Sequence, residues 1–524
     1  MSTIFKLDIK KLNSLLLKNE LKTTWISLLA THISPKKSLR YILDDKDFHG
    51  AKILPFNILE GLSIGEVSIL YEYSVAYENS KARKMNGQYF TPDDVAKFMA
   101  SYSVSFGEGI WLDPCSGIGN LTWHLVAAQP NPEDFLKNKV IVSDKDALAL
   151  LIARTLLTTS FQKSHASLFN EIKNNFICFD FLSVADSGEV NLFSANNDLS
   201  LIPKHDFVIV NPPYLACKAD NRFETGKAGD LYSYFLENII KSSKGFISIT
   251  PQSFTNAKKF SSLRRLLLYK FPSMKIFIFD NVPANIFRGI KFGSTNTNQS
   301  NSMRAAIIIA NAKPGKSKIT SLVRWKSNER SYLFKNIEKF LSDVPLTEDY
   351  FPKVSREFKE LYMSQIKVKT LSSICTTKKT KYPLYIPSAP RYFIPALKKP
   401  AMRASQKTIY FMNEVDRNRA YMAINSSLLY WWWRVRDGGM TLSMETLLSL
   451  PLPKFRLDAK IIKALENSEK TSKVYKQNAG SAQENVKHPK SLISKLNNAV
   501  IPEYADLLTS LHENSELTRL IKQK

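Results

Sequence analysis

Asn211-Pro212-Pro213-Tyr214 sets an amide, two prolines and a phenol side by side. Residues 205–210, an apolar run with β-branched side chains, lead straight into it and predict a buried parallel strand that the prolines stop. Three more strands are predicted upstream, at residues 109–113, 140–144 and 176–180, and each closes on an acid: Asp113, Asp144 and Asp180. Cys115-Ser116-Gly117-Ile118-Gly119-Asn120 follows the first of them. There Gly117 and Gly119 let backbone approach a ligand, and the helix they open offers free N–H groups. Taken singly, such an Asp is more often a cap or turn residue, and one Gly-x-Gly is a common tight turn. Three acids in order around that turn define more. In open α/β sheets ligands bind at the carboxyl ends of strands, and an acid ending the second strand is placed to bond ribose hydroxyls. The pattern predicts a site for a nucleoside-bearing cofactor. No GxxxxGK[ST] occurs, which excludes a P-loop.

Those residues need a frame that gathers strand ends. From about residue 85 to 312, predicted helices and strands alternate, as in a doubly wound, Rossmann-like α/β domain. Its first helix is expected to start with Thr91 as N-cap, Pro92 at the first helical position, and Asp93 and Asp94 in the first turn. Residues 1–84 read as amphipathic helices, a packing or lid layer without chemistry, ending in a basic patch of Lys81, Arg83 and Lys84. Residues 313–455 are rich in Lys, Arg, Tyr and Pro with few long periodic runs, and read as a separate mixed α/β domain. Residues 456–524 read as a helical tail. A polar linker at 467–491 interrupts it and is expected to be mobile.

The chain has 524 residues, enough for two to four domains. Its 73 Lys+Arg against 47 Asp+Glu give +26, which calls for a polyanionic partner. No apolar run reaches the roughly 18 residues of a membrane span, and no signal peptide opens the sequence, so nucleic acid in the cytoplasm is the expectation. The four cysteines are scattered with no CxxC pair, so neither a metal site nor a disulfide framework is expected.

The ordered set GQYFTP at 87–92, DPCSGIGN at 113–120, FDF at 179–181, NPPY at 211–214 and DLYSYFLE at 230–237 resembles the gamma class of S-adenosylmethionine-dependent N6-adenine DNA methyltransferases. NPPY alone also occurs in enzymes that methylate RNA or a protein glutamine. The full set, with a large basic C-terminal part, points to DNA. The resemblance covers about residues 85–455. It implies a methyltransferase domain at 85–312, a DNA target-recognition domain at 313–455, S-adenosyl-L-methionine as cofactor, and double-stranded DNA as partner. A monomer on DNA and a cognate restriction endonuclease encoded separately go with it. The alternatives are a type I modification subunit and a non-catalytic nucleic-acid-binding protein on the same fold.

The resemblance also assigns roles. Asn211, Pro212, Pro213 and Tyr214 form the catalytic motif. The Asn211 side-chain oxygen and the Pro212 carbonyl accept the hydrogens of the target nitrogen, and Tyr214 stacks on a flipped adenine. Tyr332 or Phe334 is the candidate for its other face. Thr91, Asp113, Gly117, Gly119, Asp144, Asp180 and Phe181 hold the cofactor. Asp113 takes its α-amino group and Asp144 its ribose, with Asp146 a rival. Asp180 takes the adenine amino group and Phe181 packs on that ring. Arg434 and Arg436 are the candidate DNA contacts. Trp431, Trp432 and Trp433 cannot share one helix face and are expected in a core or interface.

Overall fold

The computed structural model describes residues 3–78, 91–164, 166–183, 202–287, 291–292, 295–296, 303–389, 393–403, 405–439, 441–478, 481–512 and 515–522. The basic patch at Lys81, Arg83 and Lys84, residues 87–90 of the GQYFTP motif and the expected border at 84/85 lie outside them. The chain divides into two compact units. The first comprises 1–254, 258–281 and 285–317, and the second 255–257, 282–284 and 318–524. Residues 1–78 thus share a unit with the α/β core, and the tail after 456 belongs with the residues before it.

The first unit opens with α1 (Thr3–Leu16), α2 (Leu21–Ile33) and α3 (Ile64–Glu78). Then come α4 (Asp93–Ser101), β1 (Trp111–Asp113), α5 (Asn120–Ala127), α6 (Pro132–Asn138), β2 (Val140–Asp144), α7 (Ala147–Phe161), β3 (Phe176–Cys178) and β4 (Phe207–Val210). It closes with α8 (Leu231–Ser242), β5 (Gly245–Pro251), α9 (Ser261–Lys270), β6 (Ser273–Phe279) and β7 (Ala305–Asn311). The strands line up as β6-β7-β5-β4-β1-β2-β3. β3, β2, β1, β4 and β5 are parallel neighbours, and β7 runs antiparallel to both β5 and β6. Order reverses at β1 and β4, so the loops after these two strands leave the sheet side by side.

Helix α7 explains how the N-terminal layer attaches. It is apolar around its circumference, as expected of a helix buried on two sides. Ala149, Ile152 and Leu156 pack with Trp25, Leu29 and Leu70 of the layer. Leu150, Leu157 and Phe161 pack instead with Val140 and Val142 of β2.

The second unit carries a helix at Arg330–Asn336 and a three-stranded antiparallel sheet of Cys375–Thr376, Gln406–Phe411 and Pro383–Pro387, in that order. Helices Glu414–Asn425 and Ser427–Arg436 follow. Within the region expected to be a mobile linker, the described residues form regular elements. Helix Ala459–Thr471 runs into a hairpin of Lys473–Asn478 paired with Ser481–Val486, and helix Lys490–Val500 begins beyond it. Polar composition concealed the hairpin because its strands carry little apolar alternation, while His488 beyond it is buried against Ser468 and Asn425.

Candidate active site

β4 delivers the Asn211-Pro212-Pro213-Tyr214 turn to the point where sheet order reverses. Both ends of the Asn211 amide are engaged. Its Nδ2 donates to Thr91 Oγ1 at 2.9 Å, and its Oδ1 accepts from the Tyr214 hydroxyl at 2.6 Å. The same phenol lies 2.7 Å from the Ile249 carbonyl at the end of β5, and its ring is buried edge-on to Tyr232 and Phe287. The Asn211 carbonyl accepts from Cys115 Sγ at 3.3 Å, which ties this loop to the one after β1.

Thr91 does not cap α4 as expected. Pro92 occupies the N-cap position without a side-chain cap, and the Thr91 hydroxyl turns to Asn211 instead. Its carbonyl accepts from Asn120 Nδ2 at 2.6 Å.

Gly117 and Gly119 sit at φ 53° and 83°, in the left-handed region that favours glycine. A Cβ on Gly117 would meet open space. One on Gly119 would approach the Ala153 methyl of α7 at 3.1 Å. Gly117 therefore exposes backbone to the cavity, and Gly119 lets the turn close on α7.

That cavity, of about 250 Å³, is lined by Thr91, Asp113, Gly117, Asn120, Asp144, Asp146, Phe179, Asp180, Phe181, Asn211 and Pro213. Asp113 is 1% exposed. Its Oδ2 accepts from Thr122 Oγ1 at 2.8 Å, while its Oδ1 is buried without a hydrogen-bond partner. Burial pushes its carboxyl up to about 7, against the pull of the Thr122 hydroxyl. Asn120 Oδ1 is likewise buried and unpartnered. Two unsatisfied acceptors on one wall fit a ligand that brings N–H donors, such as the α-ammonium of S-adenosyl-L-methionine. Asn120 was missed in the sequence because it follows the glycines and reads as the first residue of a helix.

Asp144 accepts from Gly117 N at 2.8 Å and from Asp146 N at 3.0 Å. Burial raises its carboxyl above the usual range. Asp146, the rival for the ribose, is occupied otherwise. Its Oδ1 caps α7 at Leu148 N and Ala149 N, and its Oδ2 accepts from the Tyr71 hydroxyl at 2.6 Å. β3 ends at Cys178, so Asp180 lies in the turn beyond it rather than at the strand end. Its Oδ1 accepts from Leu182 N, and Phe181 is buried in a stack on Phe235 at 5.3 Å.

Tyr332 and Phe334 belong to the second unit, on the helix Arg330–Asn336, the former exposed and the latter half-buried. Arg434 is corrected. It is 6% exposed, donates to the Leu322 carbonyl and pairs with Glu516 Oε1 at 3.1 Å, so its guanidinium is a core ion pair and not a DNA contact. Nothing in a Trp-Arg-Val-Arg helix end distinguishes the inward arginine, because its counter-ion arrives from residue 516. Arg436 is half-buried with its guanidinium 3.7 Å from the Tyr350 ring centroid. The three tryptophans are buried, as expected.

The fold and cavity together define a nucleoside-cofactor α/β domain with an amide-bearing turn at its switch point. Residues 63–147 match the N-6 DNA methylase family model, and residues 138–287 match that of the Eco57I restriction-modification methylase. Over residues 219 long, the chain is 28% identical to the Type II methyltransferase M.PstI of Providencia stuartii, covering 38% of this chain and 39% of that protein. The chain thus spans about two fifths of that curated relative's length. Among solved structures it resembles DrdV in its DNA complex, with 15% identity, a TM-score of 0.43, and coverage of 67% of this chain and 40% of that one. It also resembles a class I S-adenosylmethionine-dependent methyltransferase from Listeria monocytogenes, with 15% identity, a TM-score of 0.37, and coverage of 64% and 99%. Residues 63–287 are thus similar to the N6-adenine methylases of restriction-modification systems.

Proposed function

We propose that this protein transfers a methyl group from S-adenosyl-L-methionine to N6 of an adenine in double-stranded DNA. The observation that carries the reading is the Asn211 turn lining the same cavity as the unpartnered acceptors of Asp113 and Asn120. Asp113 and Asn120 receive the cofactor's α-ammonium, Asp144 its ribose, Asp180 its adenine amino group, and Phe181 packs beside that ring. When bound, the cofactor supplies an electrophilic methyl group on a sulfonium.

The target nitrogen is a weak nucleophile because its lone pair is delocalised into the ring. The Asn211 side-chain oxygen and the Pro212 carbonyl accept its two hydrogens and stabilise the positive charge that develops on attack. Thr91, by accepting from Nδ2, fixes which end of the amide faces the base. The adenine must leave the duplex, at a cost of a few kcal/mol, and Tyr214 is the aromatic beside the acceptor that offsets part of it. Holding both reactants in line contributes an effective molarity on the order of 10⁵ M or more. The excess of basic residues serves the phosphate backbone, and the chain acts as a monomer in the cytoplasm beside a separately encoded endonuclease. Among the described residues no helix is long and apolar enough to cross a membrane.

Sequencing of DNA exposed to the purified chain, with detection of N6-methyladenine, tests base, site and activity together. Methylation of one defined site unaided supports the reading and rules out dependence on a separate specificity chain. Asn211→Ala is expected to keep cofactor and DNA binding and lose transfer; undiminished transfer by that variant would sink the assignment.

A further inference from the structure

Residues 215–230, which directly follow Tyr214, form a loop closed on itself. An antiparallel bridge joins Ala216 to Asp230, Cys217 N donates to the Gly229 carbonyl at 3.0 Å, and Leu231 N donates to that of Leu215 at 3.0 Å. Helix α8 holds the middle of this loop from beneath. The fully buried Glu237 carboxylate accepts from Glu224 N, Thr225 N, the Thr225 hydroxyl and Lys241 Nζ. The Phe223 ring stacks on Tyr234 at 4.6 Å. The Tyr234 hydroxyl lies 2.8 Å from the Gly226 carbonyl and 3.3 Å from that of Lys218, so Lys218 and Lys227 come from backbone gathered at one point. The short helical turn Gly226–Ala228 packs in turn against Lys258–Phe260, which brings Lys258 and Lys259 to the same place.

Charge here is divided unevenly. The three acids of the loop are matched: Asp220 pairs with Arg222 at 2.6 Å, Glu224 with Lys241 and Arg265 at 3.0 and 3.3 Å, and Asp230 has Lys259 Nζ at 3.8 Å. Lys218, Lys227 and Lys258 are exposed, and among the described residues none of their ammoniums has an ion pair or a hydrogen bond. Backbone fixed in advance loses little freedom when a ligand binds, which a merely solvated face does not need. The cluster also stands near the catalytic turn. Lys259 leads into Phe260, whose ring lies 5.2 Å from that of Tyr232, and Tyr232 meets Tyr214 edge-on at 6.4 Å. A flipped nucleotide puts its base into the site and leaves its backbone at the rim, and an ammonium meets a phosphate there as a point charge. We infer that Lys218, Lys227 and Lys258 form a binding site for the phosphodiester backbone of the strand that carries the target base. This rests on the proposed function and adds to it a sequence-independent grip on the substrate within the first unit.

The test compares two triple variants of the full-length chain that carry the same change in charge. One has Lys218→Gln, Lys227→Gln and Lys258→Gln. The other has Lys10→Gln, Lys18→Gln and Lys22→Gln, at exposed positions of the N-terminal layer. Binding of a fluorescein-labelled DNA duplex of mixed sequence is followed by anisotropy from about 50 to 200 mM salt. The first variant should bind roughly tenfold or more weakly at the low-salt end, with its log–log salt slope reduced by about one per lysine that meets a phosphate. The second should stay within about twofold of wild type at the same salt, because a remote charge is screened beyond about 10 Å. Both should bind S-adenosylhomocysteine as wild type does in calorimetry, which reports an intact first unit. Lys227→Gln alone stands in if the triple variant does not fold, and should reduce the slope by about one. Equal losses from the two triple variants, or an unchanged slope in the first, overturn the inference and leave the proposed function intact. Wild type that binds no DNA overturns the proposed function and this inference with it.

Discussion

The Asn211 amide is oriented by its neighbours: Thr91 takes the nitrogen end and the Tyr214 hydroxyl donates to the oxygen end. An amide whose ends are told apart by fixed partners presents its acceptor in one direction only. Thr91→Val should lower kcat by about tenfold with a smaller change in KM for cofactor, and Thr91→Ser should restore most of it, measured in steady-state methylation assays. On the proposed function, the Tyr214–Asn211 bond would act as a filter: a base entering the site would replace a hydrogen bond that already exists, and one lacking an exocyclic amino group would break it without giving another. Asp113 gives a pH dependence with a defined sign. Its carboxyl, pushed up to about 7, is neutral at lower pH and must ionise to pair with an ammonium. Cofactor affinity should therefore rise as pH increases from 6 to 8, and Asp113→Asn should bind weakly with a flattened pH profile in the same titration. For the unliganded fold the linkage runs the other way. The contribution of Asp113 is full below its unfolded value near 3.8 and is lost as pH rises through about 7.

At the scale of elements, β1 and β2 with their closing acids were legible, because parallel buried strands read as apolar runs and their ends as abrupt polarity changes, whereas β3 stops two residues short of Asp180. β2 appears where Val140–Asp144 predicts it, and the paired loops after β1 and β4 follow from the sheet order. Pairwise side-chain choices were not legible. Thr91, followed by proline and two acids, has every feature of an N-cap, yet Asn211, 120 residues away, takes its hydroxyl. Asp146, two residues from Asp144, has the composition of a ligand residue, and only the structure reveals that it caps α7 and binds Tyr71. Gly119 carries a constraint that sequence suggests and geometry explains. Gly119→Ala should cost about 1–2 kcal/mol from the left-handed backbone alone, with the 3.1 Å approach to Ala153 adding to it, read as a lowered thermal midpoint.

For the molecule as a whole, +26 is unevenly spread. Between Leu361 and Asn413 the sequence has ten Lys and Arg and no Asp or Glu, and this stretch contains the antiparallel sheet of the second unit. Lys378, Lys379 and Lys381 are exposed there. Replacing the three by Gln should weaken DNA binding uniformly across sequences and reduce the log–log salt slope by about one per lysine that meets a phosphate, as measured by anisotropy from 50 to 200 mM salt. Arg434→Ala, by contrast, should act on stability. It removes one of two arginines facing the buried Glu516, which keeps Arg324 Nε at 4.0 Å and the Ser321 hydroxyl, at a cost of about 1–3 kcal/mol, visible in denaturant unfolding, with the salt slope unchanged. The same C-terminal segment holds the second unit at several points: Glu516 accepts from Ser321, Leu511 from Arg324, and Glu329 from Ser515, partners 195, 187 and 186 residues apart. Such separation means high contact order, so closure of this unit is slow relative to local helix formation. During synthesis the buried arginines at 324 and 434 meet the Glu516 carboxylate only once residues near 516 emerge. A ribosome stalled before residue 516 would leave the two buried guanidiniums without the carboxylate they share.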